Sequence, residues 1–212
     1  MQDEMPTIAR VVVPEVPHHV VQRGNRRQST FFVEEDYELY KELLSRWCRR
    51  LSVAIWCYCL MPNHVHLILV PSDPAGLARA VGETHKRYTL TVNRREGWSG
   101  YLWQGRFASF PMSEAHLFNA VRYVLLNPVR ARLAASAEGW PHSSARAHLH
   151  GRPDGVVDLK PLASRIEDWT RALAPGEAEP DLRLLRKHAS TGRPLGDPDF
   201  LRLVETQTGR RL

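Results

Sequence analysis

Within the stretch CLMPNHVHLILVP, residues 59–71, His64 and His66 stand two apart in a run that otherwise reads as a buried β-strand. Side chains alternate across a strand, so both imidazoles project from one face together with Ile68 and Val70. Two imidazoles so placed can reach one divalent cation; the plainer alternative is that they cap the open end of a half-buried strand. Further ligands decide between these. Cys57 and Cys59 offer one set, suited to zinc if the thiols share the histidines' face. A turn at Met61-Pro62-Asn63 pairs Leu60 with His64 and sets the cysteines on the opposite face, whereas a two-residue turn reverses that. Tyr123 and Asn127 offer another set, four apart at the edge of a helix. A phenol hydroxyl can attack phosphorus, and an amide oxygen can ligate a hard metal. Taken singly, Tyr123 also suits packing at a helix edge, and Asn127 before Pro128 is an ordinary helix terminator.

The elements that must carry these residues have readable patterns. HHVVQRGNRR opens with a short strand from His18 to Gln22, closed by Gly24-Asn25. From Glu34 to Arg50, acids fill the first turn and arginines the last, with Leu39, Leu43, Leu44 and Trp47 as the apolar stripe of a helix. VAIWCYCL and HVHLILV read as two strands of a hairpin. A second helix is expected from about Pro74 to Arg94, followed by an irregular Gly-rich piece and a strand near GRFASFPM. Ser113 suits an N-cap, after which Leu117, Ala120, Val121, Val124 and Leu125 recur at helical spacing until Pro128 ends or kinks the helix. The order β-α-β-β-α-β, then a helix, is that of an α+β fold: a ferredoxin-like antiparallel sheet with helices on one face and an added helix bearing Tyr123. This predicts one domain over residues 1–150. It leaves 151–212, rich in Pro, Gly and charge, as a loosely packed C-terminal extension with two short helices.

At 212 residues the chain is long enough to bury a real core. An odd number of cysteines, three, and a first 30 residues with no signal-like apolar core point to a reduced, cytoplasmic setting. Apolar runs stop well short of the roughly 20 residues that a membrane span needs, so no membrane partner is expected. The net charge of +6 is unevenly spread: Val81 to Arg132 holds eight basic residues against three acidic, and Asp154 to Asp181 three against seven. The basic portion suits nucleic acid. Arg23, Arg26 and Arg27 crowd the turn after the first strand, Lys86, Arg87, Arg94 and Arg95 lie on or near the second helix, and Arg106 follows. Individually such charges are usually solvated; together they suggest a phosphate track, with Tyr88, Trp98, Tyr101, Trp103 and Phe107 interleaved as stacking platforms or as core.

MPNHVHLILVP, LWQGRFASFPM and YVLLNPVRARL, in that order, with HHVVQRGNRRQ before them and TGRPLG after, resemble the REP-associated tyrosine transposases, domesticated relatives of single-tyrosine insertion-sequence transposases. The likeness runs through nearly the whole chain. It implies a His-hydrophobic-His nuclease on a ferredoxin-like sheet, in which His64 and His66 match the metal-binding pair and Tyr123 the nucleophile. Asn127 stands where mobile relatives often carry Gln as a further metal ligand. The resemblance also implies Mg²⁺ or Mn²⁺ as cofactor, a 5′-phosphotyrosine intermediate, and single-stranded DNA with a palindromic hairpin and a short guide as partner. Two other classes stand beside it. A DNA-hairpin binding protein without catalysis leaves the intact His64, His66 and Tyr123 unexpected, and a zinc-stabilised RNA-binding protein needs Cys57 and Cys59 in the metal site.

Overall fold

The computed structural model describes residues 10–174 and 182–212, so nearly all of the APGEAEPD stretch and the first nine residues lie outside the described residues. In chain order come β1 (His18–Arg23), α1 (Glu34–Arg50), β2 (Val53–Met61), β3 (His64–Pro71), α2 (Gly76–Glu96), β4 (Ala108–Pro111) and α3 (Glu114–Leu125). The strands form one antiparallel sheet in the order β2-β3-β1-β4, the ferredoxin-like arrangement expected. α1 begins and ends where its charges say it should. The Asp36 carboxylate accepts the backbone N–H groups of Phe32 at 2.8 Å and Val33 at 3.2 Å, fixing the chain's entry into the helix. α2 stops at Gly97, whose φ of 68° is the left-handed conformation that glycine adopts without strain.

Both faces of the sheet are covered, where helices on one face were expected, and this explains why β3 reads as a continuous apolar run. Against α1 and α2 pack Val20, Tyr58, Leu60, Val65, Leu67 and Leu69, nearly all without solvent exposure. Against α3 pack Cys57, Cys59, Met61, Ile68, Val70 and Phe110. A bulge between Ile55 and Cys57 inserts Trp56 and lets β2 keep both faces apolar along its length.

The C-terminal third is packed more tightly than its composition suggests. Beyond α4 (Asn127–Arg130) come α5 (Ala145–His150), α6 (Lys160–Ala163), α7 (Trp169–Ala172), α8 (Leu182–Thr191) and α9 (Pro198–Thr208). Leu162, Ile166, Leu173, Leu185 and Leu195 join the core on the α3 face. Each such burial contributes roughly 1.5–3 kcal/mol, which holds short helices that would not persist alone. The same region also shields both sheet edges. Along β2, Leu60 N–H donates to His142 O at 2.8 Å and Ser144 N–H to Tyr58 O at 3.0 Å; beside β4, Leu195 N–H donates to Pro111 O at 2.9 Å. α8 itself comes beside His64 and His66, with Leu185, Arg186, Ala189 and Ser190 bordering the same cavity.

Candidate active site

The hairpin decides where the chemistry-bearing side chains go. Met61 pairs with His64 and Cys59 with His66, so the turn is the two-residue Pro62-Asn63 and not Met61-Pro62-Asn63. The cysteines therefore share the histidines' face. They are nonetheless poorly suited to zinc. Both are buried, and burial pushes the Cys57 thiol up to about 12 and Cys59 well above its ordinary value, so each resists the loss of a proton that zinc ligation requires. Among the described residues, no three or more of His, Cys, Asp and Glu gather as a metal-binding group.

His64, His66, Tyr123 and Asn127 line one cavity of about 890 Å³, together with His19, Arg23, Arg27, Gln104, Arg106, Arg186 and Ser190. The His64 and His66 rings are each oriented by side-chain contacts. Asn63 Nδ2 donates to Arg27 O at 3.0 Å, which turns its Oδ1 toward His64 Nδ1 at 2.6 Å. That nitrogen must then carry the proton, leaving the Nε2 lone pair of His64 free. His66 Nδ1 lies 3.0 Å from His19 Nε2 inside the protein, and this contact orients the His66 ring from the other side. Burial lowers the pKa of His64 to about 4 and of His19 to about 3, and pushes His66 well below its ordinary value, with Arg23 beside His64 and His19 beside His66 adding to the effect. The imidazoles are neutral at ordinary pH, the form in which they bind metal. Two neutral imidazoles that line one cavity with the Asn127 amide are residues that could hold a divalent cation.

Tyr123 sits at the centre of this group. Its ring meets His66 edge-on at 5.3 Å and His19 at 5.7 Å, and the Arg130 guanidinium lies over it at 4.7 Å while donating to its backbone carbonyl. Asn127 is reached by a break. α3 ends at Leu125, Leu126 leaves helical geometry, and Asn127 opens α4 with Pro128 in its first turn. Pro128 thus interrupts the helix for one residue, and Asn127 still borders the cavity with Tyr123. Ser113 occupies the N-cap position of α3, but its hydroxyl makes no capping bond.

The expected DNA-contacting residues divide into three groups. Arg23, Arg27 and Arg106 line the cavity of His64, His66 and Tyr123, while Lys86, Arg87 and Arg94 line a separate groove that Arg106 also borders. Arg95 is bound instead to the buried Asp36, at 3.1 Å in the longer of two bonds, and to Glu96 at 2.7 Å. Burial alone would raise the Asp36 carboxyl; Arg95 and the two backbone N–H groups outweigh it and hold the pKa below its ordinary value. Arg26 is exposed in a left-handed backbone conformation and borders neither cavity. Of the aromatic residues, Tyr88, Trp103 and Phe107 are core, and Trp98 and Tyr101 are exposed. His19, Asn63 and Arg186 are site residues that the sequence reading passed over. The His18-His19 doublet on a strand was a usable signal for the first; Arg186 had none.

A ferredoxin-like sheet thus presents the His64-x-His66 strand to a tyrosine carried by α3, the helix after β4. Residues 12–126, more than half of the chain, match the family described as IS200-like transposases, and the chain belongs to that family. A Haemophilus influenzae protein assigned as a REP-associated tyrosine transposase is 23% identical over 136 residues, covering 59% of this chain and 75% of the relative. The solved structure of a REP-associated tyrosine transposase bound to a REP hairpin superposes with a TM-score of 0.60 at 19% identity, over 73% of this chain and 93% of that one, and so shares the fold. A crystal structure of a protein assigned as a transposase of Deinococcus radiodurans matches at a TM-score of 0.40 and 20% identity, over 59% of this chain and 90% of that one.

Proposed function

We propose that this chain cleaves and rejoins single-stranded DNA beside palindromic hairpins, with Tyr123 as nucleophile and with His64, His66 and Asn127 holding a Mg²⁺ or Mn²⁺ ion. The observation that carries the reading is that all four residues border one cavity whose other walls carry Arg23, Arg27 and Arg106. When bound, the ion supplies Lewis-acid polarisation of a non-bridging phosphate oxygen. The arginines bind the phosphates flanking the scissile one and keep the strand in register. Arg130, stacked over the Tyr123 ring, holds the phenol in place for in-line attack.

Attack forms a bond from the Tyr123 oxygen to phosphorus and breaks the bond from phosphorus to the 3′ oxygen. The phenol loses its proton to water, and the departing 3′ oxygen takes one up. A 5′-phosphotyrosine and a free 3′-hydroxyl result, and the bond energy is kept, so a 3′-hydroxyl can reverse the step without a nucleotide cofactor. Acting on cellular DNA, such a protein works in the cytoplasm. Among the described residues, no helix is long and apolar enough to cross a membrane.

The test is incubation of the protein with single-stranded hairpin oligonucleotides and Mn²⁺, read as a protein-DNA adduct that survives denaturation. An adduct lost in EDTA and restored by Mn²⁺ supports the reading. Hairpin binding with no adduct under any divalent ion would make the chain a binding protein instead, and stoichiometric zinc that falls on Cys57→Ser would favour the zinc-stabilised class.

A further inference from the structure

A second groove, of about 1140 Å³, runs between α2 and the Gly-rich segment 97–107. Its floor is core: Trp103 and Phe107 are buried, and Trp103 stacks on His85 at 4.6 Å. Its rims are the reverse, with Leu90 61%, Trp98 47% and Tyr101 87% exposed. Arg10, Lys86, Arg87, Arg94 and Arg106 line it, and among the described residues no acidic side chain does. Arg87 is paired with Glu83 at 3.4 Å, and Arg10 lies 3.6 Å over the Phe107 ring. Lys86, Arg94 and Arg106 form no ion pair among the described residues. Burial first, and the neighbouring Arg106 second, lower the pKa of Arg10, so these two cations sit close enough to repel.

Like charges gathered in excess of their counter-charges, and broad aromatic faces left in water, each cost free energy. A chain of phosphates bearing flat, unstacked bases relieves both. The rim is also preset to receive it: Trp98 N–H donates to Asn93 O at 2.8 Å and Asn93 Nδ2 to Gly100 O at 3.0 Å, with Gly97 and Gly100 at positive φ. The groove communicates with the catalytic cavity. Arg106 borders both, and the segment before it continues along the end of β1, where Gln104 N–H donates to Arg23 O at 2.8 Å. In that extended piece Trp103 turns into the groove and Gln104 into the cavity.

We propose that this groove holds the unpaired DNA flanking the cleavage site: the strand leaves the catalytic cavity past Arg106, lays its phosphates along Lys86 and Arg94, and stacks bases on Tyr101 and Trp98. This rests on the reading of the catalytic cavity given above. The occupant is single-stranded because a duplex keeps its base faces covered and leaves nothing for an exposed Tyr101 ring to stack on.

Fluorescence anisotropy with the full chain tests it, using a hairpin with a long unpaired thymidine flank and the same hairpin with blunt ends. Tyr101→Ala, at a position too exposed to matter for folding, is expected to weaken binding of the flanked probe about tenfold and leave the blunt probe at its wild-type affinity, with Tyr101→Phe retaining both. Lys86→Ala and Arg94→Ala should each flatten the salt dependence of the flanked probe by roughly 0.7 in logarithmic slope. Equal loss on both probes, or loss on neither, overturns the proposal. Wild-type protein that binds neither probe overturns the reading of the cavity itself, an outcome distinct from the other two.

Discussion

β3 sends Val65, Leu67 and Leu69 to the face covered by α1 and α2, and Ile68 and Val70, with His64 and His66 in the same alternation, to the face covered by α3. On the first face β3 supplies only packing, and polar groups such as the Tyr40 hydroxyl with His85 Nε2 at 2.9 Å and the Tyr88 hydroxyl with Thr30 O at 2.6 Å are closed off in pairs. On the second, packing holds only as far as Ile68, Val70 and Phe110; toward the hairpin the sheet opens into the cavity of His64, His66 and Tyr123. Adjacent residues of one strand thus serve different ends. Both faces carry packing, but the cavity of His64, His66 and Tyr123 opens on one of them alone, so a residue of β3 can be changed on one face with little effect on the other.

The sharpest separation is between neighbours. His66→Ala is expected to abolish adduct formation while the circular-dichroism spectrum and a cooperative melt persist. Leu67→Ala should lose about 2–5 kcal/mol of unfolding free energy in urea yet remain competent for cleavage wherever it is folded. If both variants lost activity and stability together, the division between the faces would fail.

Acid should act on both faces alike. His85 on the first face, with a pKa lowered to about 3, and His19 on the second, also about 3, are neutral in the fold because burial penalises their charged forms. An unfolded chain takes up a proton on each near pH 6.5, and the folded protein does not until about pH 3. The stability they contribute is therefore complete above about pH 6.5 and falls as pH drops through that window, by roughly 1.4 kcal/mol per pH unit for each such histidine. Urea midpoints measured between pH 7 and pH 5 should decline steadily, and less so in His85→Phe. A flat profile would mean that these rings are not neutral in the fold.

A smaller effect is expected where the second face meets α4. Asn127→Ala should raise the Mn²⁺ concentration needed for half-maximal cleavage by about tenfold, with partial rescue in Asn127→Gln. An unchanged midpoint, with stability lowered by about 1 kcal/mol as for a lost cap, would remove Asn127 from the metal site.

Much of this architecture could be read from local pattern. The acids and arginines at either end of Glu34–Arg50 mark the bounds of α1, and the stripe from Leu117 to Leu125 marks α3. What escaped was decided at a distance. Choosing between a two- and a three-residue turn at Pro62-Asn63 moves every side chain of the hairpin to the other face, and nothing in the neighbouring residues weights one over the other. His19 reaches His66 across 47 residues of sequence, and Arg95 reaches Asp36 across 59, so neither partnership leaves a local trace. The C-terminal helices looked solvated because Leu162, Leu173, Leu185 and Leu195 are spread among polar residues and become a core only once α3 and the sheet are in place.

The central claim is that Tyr123, placed by α3 over the histidine pair, takes the DNA onto its own oxygen. Trapping the adduct with a hairpin oligonucleotide and Mn²⁺, digesting the protein, and sequencing the DNA-linked peptide by mass spectrometry tests this directly. The linked peptide should contain Tyr123, and Tyr123→Phe should yield no adduct while binding the hairpin within a few-fold of wild type. An adduct that persists in that variant, or a linked peptide carrying Tyr88 or Tyr101 instead, would contradict the account.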